Sequence, residues 1–410
     1  MRIALFSPLP PEQNGIADYA DSFRLALQKT GVQVDVPLQG FLTGSIDRLY
    51  TQMARMDWNQ YDVVHAELGG GRQGEFLALQ WLARRYPDLP LTATIHDPER
   101  MIWKPPDWPR WLVRSPFYQA MVLLANPLTL AKERWLAKRL ARMVALTSMG
   151  ARCLQQRMAV PVEKVAVIPH GNHVVPAEPL PPLPLGSSLP DEQLHRDPVE
   201  RNQGFANVLK ILYFGFIYRG KGIEDLIDAI ALLQHKHPDA ANRIALTLAG
   251  GTQPALAFER GGHYLDELKG RSAQLGSISV LWQPDVPVTE IPRLIQAHHV
   301  LVLPYRESAK LGWLGRLCGT SGVLSWAAAC GRGVISSNAR AFAEEVSYGN
   351  GAVYQQGDVR ALADELALLL RSPQLIVERA GCAAKLGQDR NWENIAAHFT
   401  ALYRELMVPV

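Results

Sequence analysis

Two stretches far apart in this chain carry residue types suited to holding an anion. The first runs from Arg2-Ile3-Ala4-Leu5-Phe6-Ser7 through Pro10-Pro11 to Gly15, and the second from Ile211-Leu212-Tyr213-Phe214-Gly215 through Arg219 to Lys221-Gly222. Each reads as a short apolar strand, a flexible loop and the start of a helix. The unsatisfied N–H groups at a helix start, together with the positive end of the helix dipole, favour a group such as phosphate. A third turn, Thr320-Ser321-Gly322-Val323, offers the same backbone donors. His96 closes an apolar run and precedes Asp97-Pro98, which places it at the carboxyl edge of a sheet, where open α/β folds bind ligands. His65 and His170 hold similar strand-end places and read as structural, while Arg219 reads equally well as a solvated loop charge.

These residues need a frame, and the chain is long enough to supply two. At 410 residues it exceeds one ordinary core and suits two α/β domains. Apolar runs at 2–7, 32–36, 61–65, 91–96, 143–147 and 165–169 alternate with amphipathic stretches, the pattern of a parallel sheet covered by helices on both faces. The alternation restarts at 209–215, 243–250, 277–282, 299–304 and 333–336, implying a second such sheet. Between the two, prolines at 176, 179, 181, 182, 184, 190 and 198 exclude a regular helix or central strand. The expected division is therefore a first domain over 1–175, a linker over 176–206, a second domain over 207–390 and a terminal helix over 391–410. Trp392, Ile395, Ala396, Phe399, Leu402, Tyr403 and Leu406 fall at helical spacing in that last segment.

The totals exclude several classes. A net charge of +3 gives no general attraction to nucleic acid. Cys153, Cys318, Cys330 and Cys382 have no Cys-x-x-Cys spacing, against a zinc ribbon or a disulfide scaffold. No apolar run approaches a membrane span, and the start has neither the length nor the basic flank of a signal peptide. A cytoplasmic protein is expected, with peripheral membrane contact through 101–142. There Trp103, Trp108, Trp111, Phe117 and Tyr118 interleave with Lys104, Arg110, Arg114, Lys132, Arg134, Lys138, Arg139 and Arg142, a mixture that suits a lipid headgroup layer or the solvated basic face of a helix pair.

The order of Pro10-Pro11 to Tyr19, Tyr61 to His65, Thr94 to Asp97, Ile168 to Gly171, Gly215 with Lys221-Gly222, and Ser321 to Leu324 resembles that of the family-4 retaining glycosyltransferases. The resemblance implies a GT-B fold: two Rossmann-like domains with parallel sheets facing across a cleft, and a C-terminal helix crossing back to the first domain. It implies a nucleotide-sugar donor held mainly by the second domain and a glycan or lipid-linked acceptor held mainly by the first, as in polysaccharide biosynthesis. By the same resemblance Gly15 brings backbone to the donor phosphates, His96 contacts the donor sugar, and Lys221, aided by Arg219, neutralises the diphosphate leaving group. Gly215, Ser321, Gly322 and Val323 complete the donor site. No metal or other cofactor is implied.

The chain departs from the family in two places. Phe216 stands where an arginine is usual, and the paired glutamates fall at Cys318 and Trp326. Glu307, with Lys310, is a candidate replacement contact. The missing glutamates leave open a non-catalytic partner in a glycan assembly complex, and a sugar-nucleotide epimerase shares the two-domain form. A dinucleotide-dependent dehydrogenase fits less well, since neither opening carries Gly-x-Gly-x-x-Gly.

Overall fold

The computed structural model describes residues 1–12, 14–105, 117–184, 208–238, 243–252, 263–307 and 317–407. They fall into two compact units, the first built from 1–171, 317–320 and 390–407 and the second from 172–307 and 321–389. Lys310, Trp108, Trp111, Arg110, Arg114 and the later linker prolines lie outside the described residues.

In the first unit β1 (Arg2–Phe6), α1 (Gly15–Lys29), β2 (Gln33–Asp35), α2 (Ile46–Ala54), β3 (Val63–Leu68), α3 (Gln73–Arg85) and β4 (Leu91–Ile95) alternate strictly. Then come α4 (Tyr118–Leu124), α5 (Asn126–Arg139), β5 (Arg142–Ala145), α6 (Ser148–Met158) and β6 (Val165–Val167). The sheet is parallel in the order β2-β1-β3-β4-β5-β6. Its central strands are buried throughout, β3 and β4 without exception, because helices cover both faces.

The second unit runs β7 (Leu209–Phe214), α7 (Ile223–Lys236), β8 (Ile244–Gly250), α8 (His263–Ala273), β9 (Ser279–Pro284), α9 (Ile291–Gln296) and β10 (Val300–Leu303). It continues through α10 (Gly322–Ala329), β11 (Gly333–Ser337), α11 (Phe342–Glu345), β12 (Gly351–Tyr354), α12 (Val359–Arg371) and α13 (Gln374–Asp389). Its parallel sheet has the order β12-β11-β10-β7-β8-β9.

The chain then returns to the first unit as α14 (Trp392–Met407). The apolar stripe read from the sequence lies against α1: Phe399 meets Phe23 edge-on at 4.6 Å between ring centroids, and Trp392 meets Tyr19 at 5.0 Å. Ile395, Ala396 and Tyr403 are buried in the same cluster.

The proline-rich segment differs from its reading as a linker. Up to residue 184 it belongs to the second unit, held by the buried Arg332, whose guanidinium donates to the carbonyls of Glu178 and Pro179 as well as to those of Gln296 and His298. Gln296 donates to the Pro176 carbonyl at 2.7 Å, and His299 Nε2 lies 3.2 Å from the carbonyls of Pro181 and Pro182. Prolines give up donors but keep acceptors, so a Pro-rich segment suits a buried guanidinium that can only donate.

Candidate active site

In each sheet the strand order reverses once, between β1 and β3 in the first unit and between β7 and β10 in the second. The crevice outside the carboxyl ends of the strands at such a switch point is where open α/β sheets bind ligands.

In the second unit the loop after β7 and the residues after β10 meet there. Gly222, the N-cap of α7, has φ +64, and a Cβ on it would stand 1.8 Å from the Pro304 carbonyl oxygen. Only glycine permits this approach, and it fixes Lys221 beside Tyr305. Lys221 Nζ lies 3.7 Å from the centroid of the Tyr305 ring and 5.0 Å from that of Tyr218. The lysine is 8% exposed, and among the described residues no carboxylate pairs with it. Burial pulls its pKa down to about 8, and the nearby charge of Arg340 adds to the fall. A cation held this way, at a helix N-terminus and over aromatic faces, is suited to an anion.

Tyr305 is the hub. Its hydroxyl is 3.4 Å from Ser321 Oγ, and a Cβ on Gly215, which has φ +141, would stand 3.6 Å from the same hydroxyl and 3.5 Å from Val323. Ser321 is the N-cap of α10, with its side chain turned to the Val323 N–H. Gly215, Lys221, Ser321 and Val323, expected as donor contacts, are thus brought together, with Gly322 opening α10 among them. Arg340, which sequence reasoning missed, joins them with its guanidinium 6.0 Å from the Tyr305 centroid and its backbone at φ +53.

Two of the expected residues have other partners. Arg219 forms an ion pair with Glu267, both more than half exposed, and covers the Tyr264 ring at 4.7 Å, so its charge is engaged there and not beside Lys221. Glu307 accepts the Arg340 N–H at 2.6 Å, and its own N–H donates to Gln356 at 2.8 Å, so its carboxylate braces the strained Arg340. Trp326 stacks on His173 at 4.6 Å, which fills one glutamate position with an aromatic pair.

In the first unit β3 and β4 converge on a buried carboxylate. Glu67 is 0% exposed; it receives His96 Nε2 at 2.8 Å and His65 Nε2 at 3.2 Å. Burial raises the Glu67 pKa, but the hydrogen bonds and charges of the two histidines outweigh it, and the net shift is downward. His65 also bonds Thr92 and Thr94 and is structural. His96 is 13% exposed, its ring edge-on to Tyr19 at 4.8 Å, so Glu67 orients it through Nε2. Glu67 faces Thr94 in the register of β3 and β4, two residues before His96, so no sequence spacing announces the pairing.

Gly15 opens α1, and a Cβ there would meet nothing within 4 Å, while Asn14 caps the Ile16 and Ala17 N–H groups at 3.1 and 2.9 Å. Cys318, at the other glutamate position, groups with the first unit: its N–H donates to the buried Glu99 at 3.0 Å and its thiol to Cys153.

Two Rossmann-like halves, each on a six-stranded parallel sheet with a crevice at its switch point, are the GT-B architecture. The family models agree: Glycosyltransferase Family 4 matches residues 19–173 and Glycosyl transferases group 1 matches residues 209–372, and the chain belongs to this family. No curated protein matches it by sequence. Among solved structures it is similar to HepE of Anabaena in complex with UDP, with 17% identity over 99% of this chain and 100% of that one and a TM-score of 0.65. It is also similar to a sucrose-phosphate synthase from Thermosynechococcus elongatus, at 18% identity, 99% coverage of each chain and a TM-score of 0.68. A trehalose-6-phosphate structure from E. coli bound with UDP-2-fluoro glucose follows at 12% identity, 100% of each chain and a TM-score of 0.65.

Proposed function

We propose that this chain is a retaining hexosyltransferase that moves a sugar from a uridine-diphosphate donor to a hydroxyl of a glycan or lipid-linked acceptor. The observation that carries the reading is Lys221, a buried cation over the Tyr305 ring with no carboxylate partner among the described residues. A diphosphate leaving group is the anion it fits. As the C1–O bond to the diphosphate breaks, charge grows on the leaving oxygen, and a fixed cation is worth most where charge develops. Arg340 supplies the second cation in place of the arginine that Phe216 displaces. His96, oriented by Glu67, contacts the transferring sugar. The acceptor oxygen then attacks the departing sugar from the same face, and its proton passes to the leaving diphosphate.

The donor base rests on the UDP and UDP-2-fluoro glucose named for similar structures. With Lys221 and Arg340 neutralising the diphosphate, turnover proceeds without a metal and survives EDTA. Exposed Phe117, Leu124 and Leu128, at 71%, 81% and 67%, favour a peripheral membrane contact, testable by flotation with anionic vesicles.

The test is UDP release from UDP-glucose and UDP-galactose, with the product's anomeric coupling read by NMR. Transfer with retained configuration supports the reading; inversion refutes it. A second reading, a non-catalytic partner, is favoured by Trp326 stacking on His173 where a glutamate is expected. UDP binding without turnover over a broad acceptor panel would select it.

A further inference from the structure

The first unit contains a cavity of about 300 Å³ that nothing above uses, lined by the loop before α2 and the first turn of α3. It exists because Gly74 lets that loop press onto α3: a Cβ there would stand 1.9 Å from the Leu42 carbonyl oxygen. Two helix starts open into it, α2 at Ser45, whose hydroxyl makes no capping bond, and α3 at Arg72. Leu42, Leu49 and Leu77 give it an apolar wall, and Thr43 and Gln73 add polar groups beside the two helix starts.

The residue that points to a ligand is Glu75. Its side chain is 2% exposed and lines the cavity, yet Oε1 has no hydrogen-bond partner and lies 3.5 Å from Arg72 Nη1. Arg72 is already engaged by Glu12 at 2.9 Å. One guanidinium between two carboxylates leaves no surplus positive charge, so the cavity does not favour a phosphate. A buried polar atom without a partner is costly unless something arrives to bond it. A carboxylate accepting from adjacent hydroxyls, a guanidinium donating beside it, and apolar walls for C–H faces together suit a neutral polyol. The volume is at the small end of about 300–1,000 Å³ for ligand pockets, enough for one ring.

We infer that this cavity binds one uncharged sugar ring, with Glu75 and Arg72 reading adjacent hydroxyls; in naming that ring the acceptor's, the inference rests on the transfer reading above. Burial holds the Glu75 carboxyl up to about 7, offset in part by Arg72, so near neutrality it can both accept and donate.

The experiment titrates the full-length protein with D-glucose, D-galactose, D-mannose and N-acetyl-D-glucosamine by saturation-transfer NMR, with UDP affinity measured on the same samples. At least one sugar is expected to bind, and Glu75→Gln weakens it by about tenfold or more, as loss of a charged hydrogen bond does. Thr43→Trp, at an exposed wall position, fills the cavity without disturbing the core and also removes binding. UDP affinity stays unchanged in both variants. Absence of binding by all four sugars, or binding that survives both substitutions, overturns the inference. Failure of UDP to bind the wild type strikes the transfer reading instead and leaves the sugar result to stand or fall by itself.

Discussion

Nucleotide binding should draw a proton onto Lys221, and the size of the effect follows from where that side chain sits. Its ammonium is buried against Tyr305 and Tyr218, with Arg340 nearby, and its pKa is pulled from the ordinary 10.5 to about 8. That difference corresponds to about 3 kcal/mol of disfavour for the charged form, which a bound diphosphate removes. One pH unit above the free value, near pH 9, about one-tenth of Lys221 carries its proton before binding and nearly all carries it afterwards, an uptake of about 0.9 proton per UDP. Near pH 7 the lysine is already charged and the uptake is about 0.1. The apparent affinity therefore falls by up to about tenfold per unit above pH 8. The assay is calorimetry of UDP binding at both pH values in buffers of different ionisation enthalpy, with Lys221→Met as the blank for every other titrating group. Equal uptake at pH 7 and pH 9, or uptake near pH 9 that persists in Lys221→Met, would refute the placement of the diphosphate on this lysine.

The same shift gives a stability prediction with a definite sign. Because the folded pKa of Lys221 lies below the unfolded one, its cost is full below about pH 8 and vanishes as pH rises toward 10.5, so Lys221→Met should raise the melting temperature of the ligand-free protein near pH 7 and lose that advantage in alkali. Replacing Arg332 with Ala strands the buried carbonyls of Gln296 and His298 and frees residues 176–184; a loss of about 3–5 kcal/mol is expected, read as early hydrogen exchange in α9 and β11. Glu67 is held ionised below its ordinary range by His65 and His96, so its stabilisation is present above that range and lost as pH falls below it; Glu67→Gln should flatten the acid limb of the unfolding profile. Cys153 and Cys318 share a hydrogen bond, whereas burial pushes the Cys330 thiol up to about 12, so diamide should join the first pair and leave Cys330 unmodified in peptide mapping.

The sheets were legible because a buried parallel strand leaves a plain mark: 299–304 and 209–215 carry apolar residues on both faces, and both became central strands. The stripe from Trp392 to Leu406 was legible as an amphipathic helix that must cover something, while its place on the first unit was implied only by the family resemblance. The hold on 176–184 was not, because the prolines advertise only what they cannot form. What anchors them is a single arginine more than a hundred residues later, and no local pattern connects Arg332 to Pro179.

The crevice after β7 divides the same way. Lys221 was readable because Gly222 follows it and a helix follows both. Arg219 shares that context, yet it went to the surface with Glu267, because spacing two residues apart does not place two side chains on one side of a loop. The cation that does approach is Arg340, from the loop after β11, set by a left-handed backbone that Glu307 braces. Glu307, expected in the site for its charge, accepts from the Arg340 backbone. Phe216 and Arg340 are best understood together: the loop after β7 gives up its arginine, and a guanidinium arrives from the neighbouring side of Tyr305. Charge at a diphosphate site is constrained by where it stands and not by which strand delivers it, so the Arg340→Ala variant should lose UDP affinity while Arg219→Ala keeps it.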